Sequence, residues 1–257
     1  MTGRSWDGDA YHRVSGPMEA MAMPVLDRLS LRGDETVIDA GCGSGRVTRH
    51  LVERVPHGRV IGFDSSAAMA ETARSYLGDA ADVVVGDLLE IDLEVLGRHT
   101  PVDAVFSTGT FHHVLDHDRL FVRLAGVLAP GGPLVAQCGA EGNISNVLAA
   151  AAEVAADARF AEALRGVDRK TTYETPEVTK QRLIAAGFTD VRCWTEPNAV
   201  VPDDCVQYLE TIVLGGHAQR LGPELGRAYV EEVVDRLSVD GPASVDYVRL
   251  NIDARRG

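Results

Sequence analysis

No uninterrupted apolar run in the 257-residue sequence reaches the roughly 18 residues that mark a membrane span. Hydrophobic residues still make up 45% of the chain, an ordinary share for a globular protein. The opening stretch Met1-Thr2-Gly3-Arg4-Ser5-Trp6-Asp7 lacks the apolar core of a signal peptide, so a cytoplasmic protein without membrane contact is expected. Cysteine is scarce, and Cys42, Cys138, Cys193 and Cys205 show neither C-x-x-C spacing nor a histidine arrangement suited to zinc. Reduced, structural thiols and no metal site follow. Basic residues are outnumbered, 25 against 38 acidic, for a formal net charge of −13. Nucleic-acid binding draws on Lys and Arg meeting phosphates, so this balance points to a small-molecule partner and away from a polyanion. Repeats and low-complexity tracts are also missing.

What is present centres on Val37-Ile38-Asp39-Ala40-Gly41-Cys42-Gly43-Ser44-Gly45. The β-branched pair Val37 and Ile38 reads as a strand, and from Arg46 the apolar positions fall at helical spacing. Three alternate glycines join the two. Without Cβ atoms they permit positive φ and let a ligand approach the N–H groups of the first helical turn. The dinucleotide fingerprint G-x-G-x-x-G does not fit, because the third glycine comes one residue early. Asp39, two residues before the first glycine, would repel a pyrophosphate but suits a ligand carrying an ammonium and a sulfonium.

Further strands follow in order. Arg59 to Asp64 ends in an acid 25 positions after Asp39, and Ser65 to Met69 open a helix. Val83-Val84-Val85-Gly86-Asp87-Leu88, Val102 to Ser107, and Leu128 to Gln137 with its Pro130-Gly131-Gly132 turn complete five landmarks. With VIDAGCGSG at their head they resemble the class I S-adenosylmethionine-dependent methyltransferases. Nearest is the small-molecule branch that includes trans-aconitate and natural-product methyltransferases. Trp6, Tyr11, the stretch Phe106 to Val114 and the Gln137 strand end carry the closer likeness, while His112-His113 departs from the trans-aconitate pattern and leaves the substrate open.

The resemblance implies an α/β fold with a Rossmann-like seven-stranded, mostly parallel sheet, helices on both faces, and helical lid insertions. A chain of this length buries one α/β core of about 150 residues and leaves roughly 100 for additions. Residues 1–257 are thus expected as a single methyltransferase domain, with an N-terminal helical arm at 1–30 and a cofactor-binding core at 36–138. The lid insertions fall at 141–175 and 198–243. Helices are expected at Pro17 to Leu29, Pro176 to Ala186, Cys205 to Val213 and Pro223 to Leu237, with late strands at Asp190 to Thr195 and Ser244 to Ala254.

For the cofactor, S-adenosyl-L-methionine with S-adenosyl-L-homocysteine as product, the resemblance implies Asp39, Gly41, Gly43, Gly45, Asp64, Ser65, Met69, Gly86, Asp87, Leu88, Ser107 and Thr108. Asp64 would accept from the ribose hydroxyls, against a plain helix cap, and Asp87 would lie near adenine. Asp103 and Arg46 read as structural. Trp6, Tyr11, Gln137 and Asn143 are the expected substrate contacts. The cluster Arg165, Arg169 and Lys170 is either a carboxylate clamp or a solvated helix end. Methyl transfer rests on proximity and orientation. A carboxylate acceptor needs no base, whereas a hydroxyl benefits from a neutral histidine, so His112 and His113 are the catalytic candidates, against a passive role in shaping the loop. The expected reaction is transfer of a methyl group to a small molecule, at oxygen of a carboxylate or hydroxyl. The alternatives are a cofactor-binding enzyme that cyclises or decarboxylates without methyl transfer, and a non-catalytic cofactor-binding module.

Overall fold

Short β-branched runs with apolar residues on both sides form the centre of the sheet, because a parallel strand covered on two faces needs no polar side. In β1 (Thr36–Ala40) Val37 packs into the cluster beneath α2 (Gly16–Arg28) and α3 (Arg46–Arg54). Its neighbour Ile38 points to the opposite cluster, against α5 (His117–Val127) and α8 (Pro176–Ala185). The structure, a computed structural model, describes residues 7–167, 171–239 and 241–257. No described helix is long and apolar enough to cross a membrane.

Along the chain, α1 (Gly8–Val14) and α2 precede β1. Then come α3, β2 (Arg59–Asp64), α4 (Ala67–Leu77), β3 (Asp82–Val85), β4 (Ala104–Thr108), α5 and β5 (Pro133–Gly139). The second half holds α6 (Ser145–Ala155), α7 (Ala158–Leu164), α8, β6 (Phe188–Val200), α9 (Cys205–Tyr208), α10 (Gly215–Leu221), α11 (Pro223–Leu237) and β7 (Val245–Arg256). The sheet order is β3-β2-β1-β4-β5-β7-β6. The first five strands are parallel, and β7 runs antiparallel to both β5 and β6. The sheet is the seven-stranded, mostly parallel one expected. After β1 the chain builds outward to β2 and β3, then crosses to β4 on the other side, which opens a crevice at the carboxyl ends of β1 and β4.

Two differences from the sequence reading have local causes. The stretch Cys205 to Val213 is not one α-helix: after α9, Leu209–Val213 widens to a π turn closed by Leu214 N–H on Leu209 O at 2.6 Å. β6 is longer than expected because its pairing with β7 runs from Phe188↔Arg256 to Val200↔Val245 and carries exposed polar positions that break the apolar pattern, while β7 falls within two residues of its expected bounds. The two inserted stretches pack on each other, with Val147, Phe160, Leu209 and Tyr229 in a second core that also takes Met21, Val245 and Tyr247.

Candidate functional site

The cavity at the β1–β4 crevice is floored by the glycine loop. Gly41 and Cys42 donate their N–H groups to Phe63 O, which ties the loop to the end of β2. Gly41 (φ +88°) has no room for a side chain, since a Cβ would sit 2.0 Å from Thr110 Oγ1. Gly43 (φ +54°) has nothing within 4 Å of that position, so its missing side chain leaves open space over the loop.

Two carboxylates face this floor. Asp39 is 2% exposed, and burial pushes its carboxyl up to about 7; the hydroxyl of Thr48 donates to Oδ2 at 2.7 Å and pulls the other way, while the charge of Asp64 adds to the rise. Burial also raises Asp64, against two backbone N–H groups: Ser66 donates to Oδ1 at 2.8 Å and Gly43 to Oδ2 at 2.9 Å. Among the described residues no protein cation offsets either charge. Arg46, nearby in the cavity wall, is engaged by Glu19 at 2.9 Å and by His12 O, yet its buried Nε has no partner among the described residues. Uncompensated carboxylates, an idle guanidinium N–H and a bare glycine fit a zwitterionic, positively charged ligand such as S-adenosylmethionine. Asp39 and Asp64 would meet its cationic and hydroxyl groups, and Arg46 its carboxylate.

The opposite wall comes from the loop after β4, the end of β5, β7 and the insertions. His112 and His113 both line the cavity, rings 4.1 Å apart. Gly139 N–H donates to His112 Nδ1 at 3.2 Å, so the neutral ring carries its proton on Nε2. Thr172 N–H holds His112 O at 2.8 Å and brings Tyr173 to stack on His112, with centroids 5.7 Å apart. Gln137 does not present a spare amide: its Oε1 accepts from Arg249 Nε at 3.2 Å and its Nε2 donates to Asn251 at 3.0 Å. Asn143 ties the loop after β5 to β7 by accepting from Val248 N–H at 3.0 Å.

The cavity therefore gathers Asp39, Gly41, Gly43, Asp64, Ser65, Met69, Thr108, His112, His113, Tyr11, Gln137 and Asn143 from the sequence candidates. Others lie outside it. Gly45 is the left-handed start of α3, packed over Leu77. Ser107 is buried and donates to Ala40 O at 2.6 Å. Gly86 abuts the Phe63 ring, Leu88 sits in the main core, and Asp87 turns back to accept from Leu89 N–H at 2.9 Å. Trp6, Arg169 and Lys170 fall outside the described residues. Sequence reasoning missed Glu19, Tyr173, Ile144, Ile212, Tyr247 and Arg249, and treated Arg46 as structural only. One signal was available: Arg249 shares the β7 face of Val245 and Tyr247, where a charge among buried residues needs a reason.

Comparison with known proteins identifies the family. Residues 37–132 match the family described as "Methyltransferase domain". Over 250 residues the chain is 30% identical to the trans-aconitate 2-methyltransferase of Variovorax paradoxus (strain S110), covering 95% of this chain and 93% of that protein. The protein of the same name from Azoarcus sp. (strain BH72) is 35% identical over 133 residues, 52% of this chain and 50% of that protein. The chain thus spans about half the length of that relative and of several others so named. Phosphoethanolamine N-methyltransferase 2 of Haemonchus contortus, solved with S-adenosyl-L-methionine, shares the fold at a TM-score of 0.63 and 18% identity, over 97% of this chain and 56% of that one. The chain belongs to the class I S-adenosylmethionine-dependent methyltransferases.

Proposed function

We propose that this chain methylates a small acid at oxygen, a carboxylate or a hydroxyl, using S-adenosylmethionine. The observation that carries the reading is the division of the cavity: buried carboxylates without a protein cation at the strand ends of β1 and β2, and hydrogen-bond donors on the wall opposite. The relatives named for trans-aconitate, an unsaturated tricarboxylic acid, support an anionic acceptor.

When bound, S-adenosylmethionine supplies a methyl group on a positive sulfur; transfer forms an oxygen–carbon bond and leaves the carbon–sulfur electron pair on sulfur. The chain's part is placement. Asp39 and Asp64 hold positive and hydroxyl groups at one end, and the glycine loop fixes their depth. His112, protonated on Nε2, donates to the acceptor and orients it. For a hydroxyl acceptor the proton must leave, and the exposed His113 at the cavity rim is the base. For a carboxylate neither histidine needs to move a proton.

Incubation with S-adenosylmethionine and trans-aconitate, citrate, fumarate or 4-hydroxybenzoate, followed by mass spectrometry, tests the reading. S-Adenosylhomocysteine and a methyl ester or ether should form in equal amounts. Conversion of an acceptor without S-adenosylhomocysteine would instead identify an enzyme that holds the cofactor but transfers no methyl. Cofactor binding with no conversion of any kind would identify a binding module.

A further inference from the structure

Arg249 is 4% exposed, lines the cavity, and has no carboxylate within ion-pair distance among the described residues. The contrast with two less buried arginines is direct: Arg28 is paired with Asp253 at 2.9 Å and Arg182 with Glu174 at 2.7 Å. The acid opposite it on β6, Glu196, accepts from Asn251 and Trp194 and makes no ion pair with it. A largely buried guanidinium without a direct ionic partner is costly, and a protein keeps one where a ligand supplies the charge. Its Nε is committed to Gln137 and its guanidinium lies over the Tyr247 ring at 5.6 Å, so the fork is held in one orientation with its two terminal nitrogens carrying no partner among the described residues. In the same wall, the buried hydroxyl of Tyr173 has no partner among the described residues either. Two idle donors in one wall describe an acceptor-only ligand group.

Position separates this anchor from the reacting atoms. Arg249 sits on β7 opposite Gly139 of β5, while Asp39 is on β1. Between β1 and β7 lie β4 and β5, so three strand spacings, about 14 Å, part the two ends of the cavity. We propose that Arg249, with the Tyr173 hydroxyl, anchors a carboxylate of the acceptor other than the atom that takes the methyl group, and so selects acids with a second polar arm. An oxygen clasped by a guanidinium has its lone pairs engaged and its charge offset, which makes it the poorer nucleophile of the two. The inference deepens the proposed reaction, on which its acceptor end rests.

Calorimetry on the S-adenosylhomocysteine complex, with trans-aconitate, citrate and fumarate as probes and crotonate as the single-carboxylate control, tests it without turnover. Wild-type protein should bind at least one of the three polyacids more tightly than crotonate. Arg249→Gln should weaken that binding about ten- to a hundredfold, Arg249→Lys less, and S-adenosylhomocysteine affinity should stay within about twofold. Tyr173→Phe guards against misfolding of the arginine variants: it removes a hydroxyl with no protein partner, so its melting temperature should hold while polyacid affinity falls severalfold. Polyacid affinity within threefold of wild type in both Arg249→Gln and Tyr173→Phe overturns the anchor, as does wild-type protein that binds none of the polyacids. Arginine-dependent polyacid binding without methyl transfer keeps the anchor and sinks the proposed reaction; methylation of 4-hydroxybenzoate untouched by Arg249→Gln does the reverse.

Discussion

Asp39 is a carboxylate that the folded chain holds at a loss. Its pKa stands near 7 in the fold against 3.8 in the unfolded chain, so the native state keeps a proton that the unfolded state gives up. Stability without ligand therefore falls as pH rises from about 4 to about 7, and the full penalty applies above that window. Asp39→Asn keeps an acceptor for Thr48 and removes the charge. In ligand-free protein at pH 8 it should raise stability by on the order of 1–4 kcal/mol, with the gain vanishing near pH 4, as followed by urea unfolding. S-Adenosylmethionine affinity should drop at least tenfold in the same variant. Equal stability of variant and wild type at pH 8 would show that Asp39 is not strained. The histidines divide by the same kind of reasoning. With Nδ1 taken by Gly139 N–H, His112 is a donor, so His112→Ala should cost about fivefold in single-turnover methyl transfer, the size of one lost hydrogen bond. With a hydroxyl acceptor His113→Ala should cost about a hundredfold or more, and with a carboxylate acceptor almost nothing. A hundredfold loss for His112→Ala on a carboxylate would contradict this assignment. Asp39, Asp64 and Gly43 were legible in the sequence because a strand end and a glycine turn are local signals. Arg249, Tyr173 and the idle Nε of Arg46 were not, since only the tertiary fold reveals which charges go unpaired.

Helices built by propensity and capping came through the sequence clearly, as in α8, where Thr175 caps Val178 N–H and Pro176 opens the first turn. The π turn after α9 did not, because a widened turn has the same apolar spacing as the helix it interrupts. It brings Ile212 and Val213 to the cavity wall. Ile144, the residue before α6, also lines the wall and adopts φ +54°, a left-handed conformation that a β-branched side chain holds only under strain. Both irregular points belong to the inserted stretches, whose buried core residues form a cluster distinct from the main one that reaches the sheet only through one end of β7. We therefore expect them to work as a lid. Hydrogen exchange should slow at residues 141–167 and 205–221 on addition of S-adenosylhomocysteine and an acid acceptor. Protection confined to the loops after β1, β2 and β4 would leave the insertions as fixed scaffolding.

At the scale of the whole molecule the parallel half of the sheet was readable from its acids and glycines, while the pairing of β6 and β7 depends on contacts between distant stretches that no local pattern encodes. β7 serves both ends of the molecule: Val245 and Tyr247 close the second core, and Leu250, Ile252 and Ala254 close the main one. Deleting residues 244–257 should therefore abolish cooperative unfolding and lower solubility, even though every strand that bears Asp39 or Asp64 remains; a soluble truncated chain with a single sharp melting transition would refute the coupling. The placement of β7 between β5 and β6 also sets an order of events during synthesis. A strand made after its two neighbours must slide between them, so β5 offers an open edge and β6 no partner until the ribosome has delivered β7. From the completion of β5 until β7 emerges that gap stays unfilled, and this interval is the one of greatest exposure to aggregation and to chaperones.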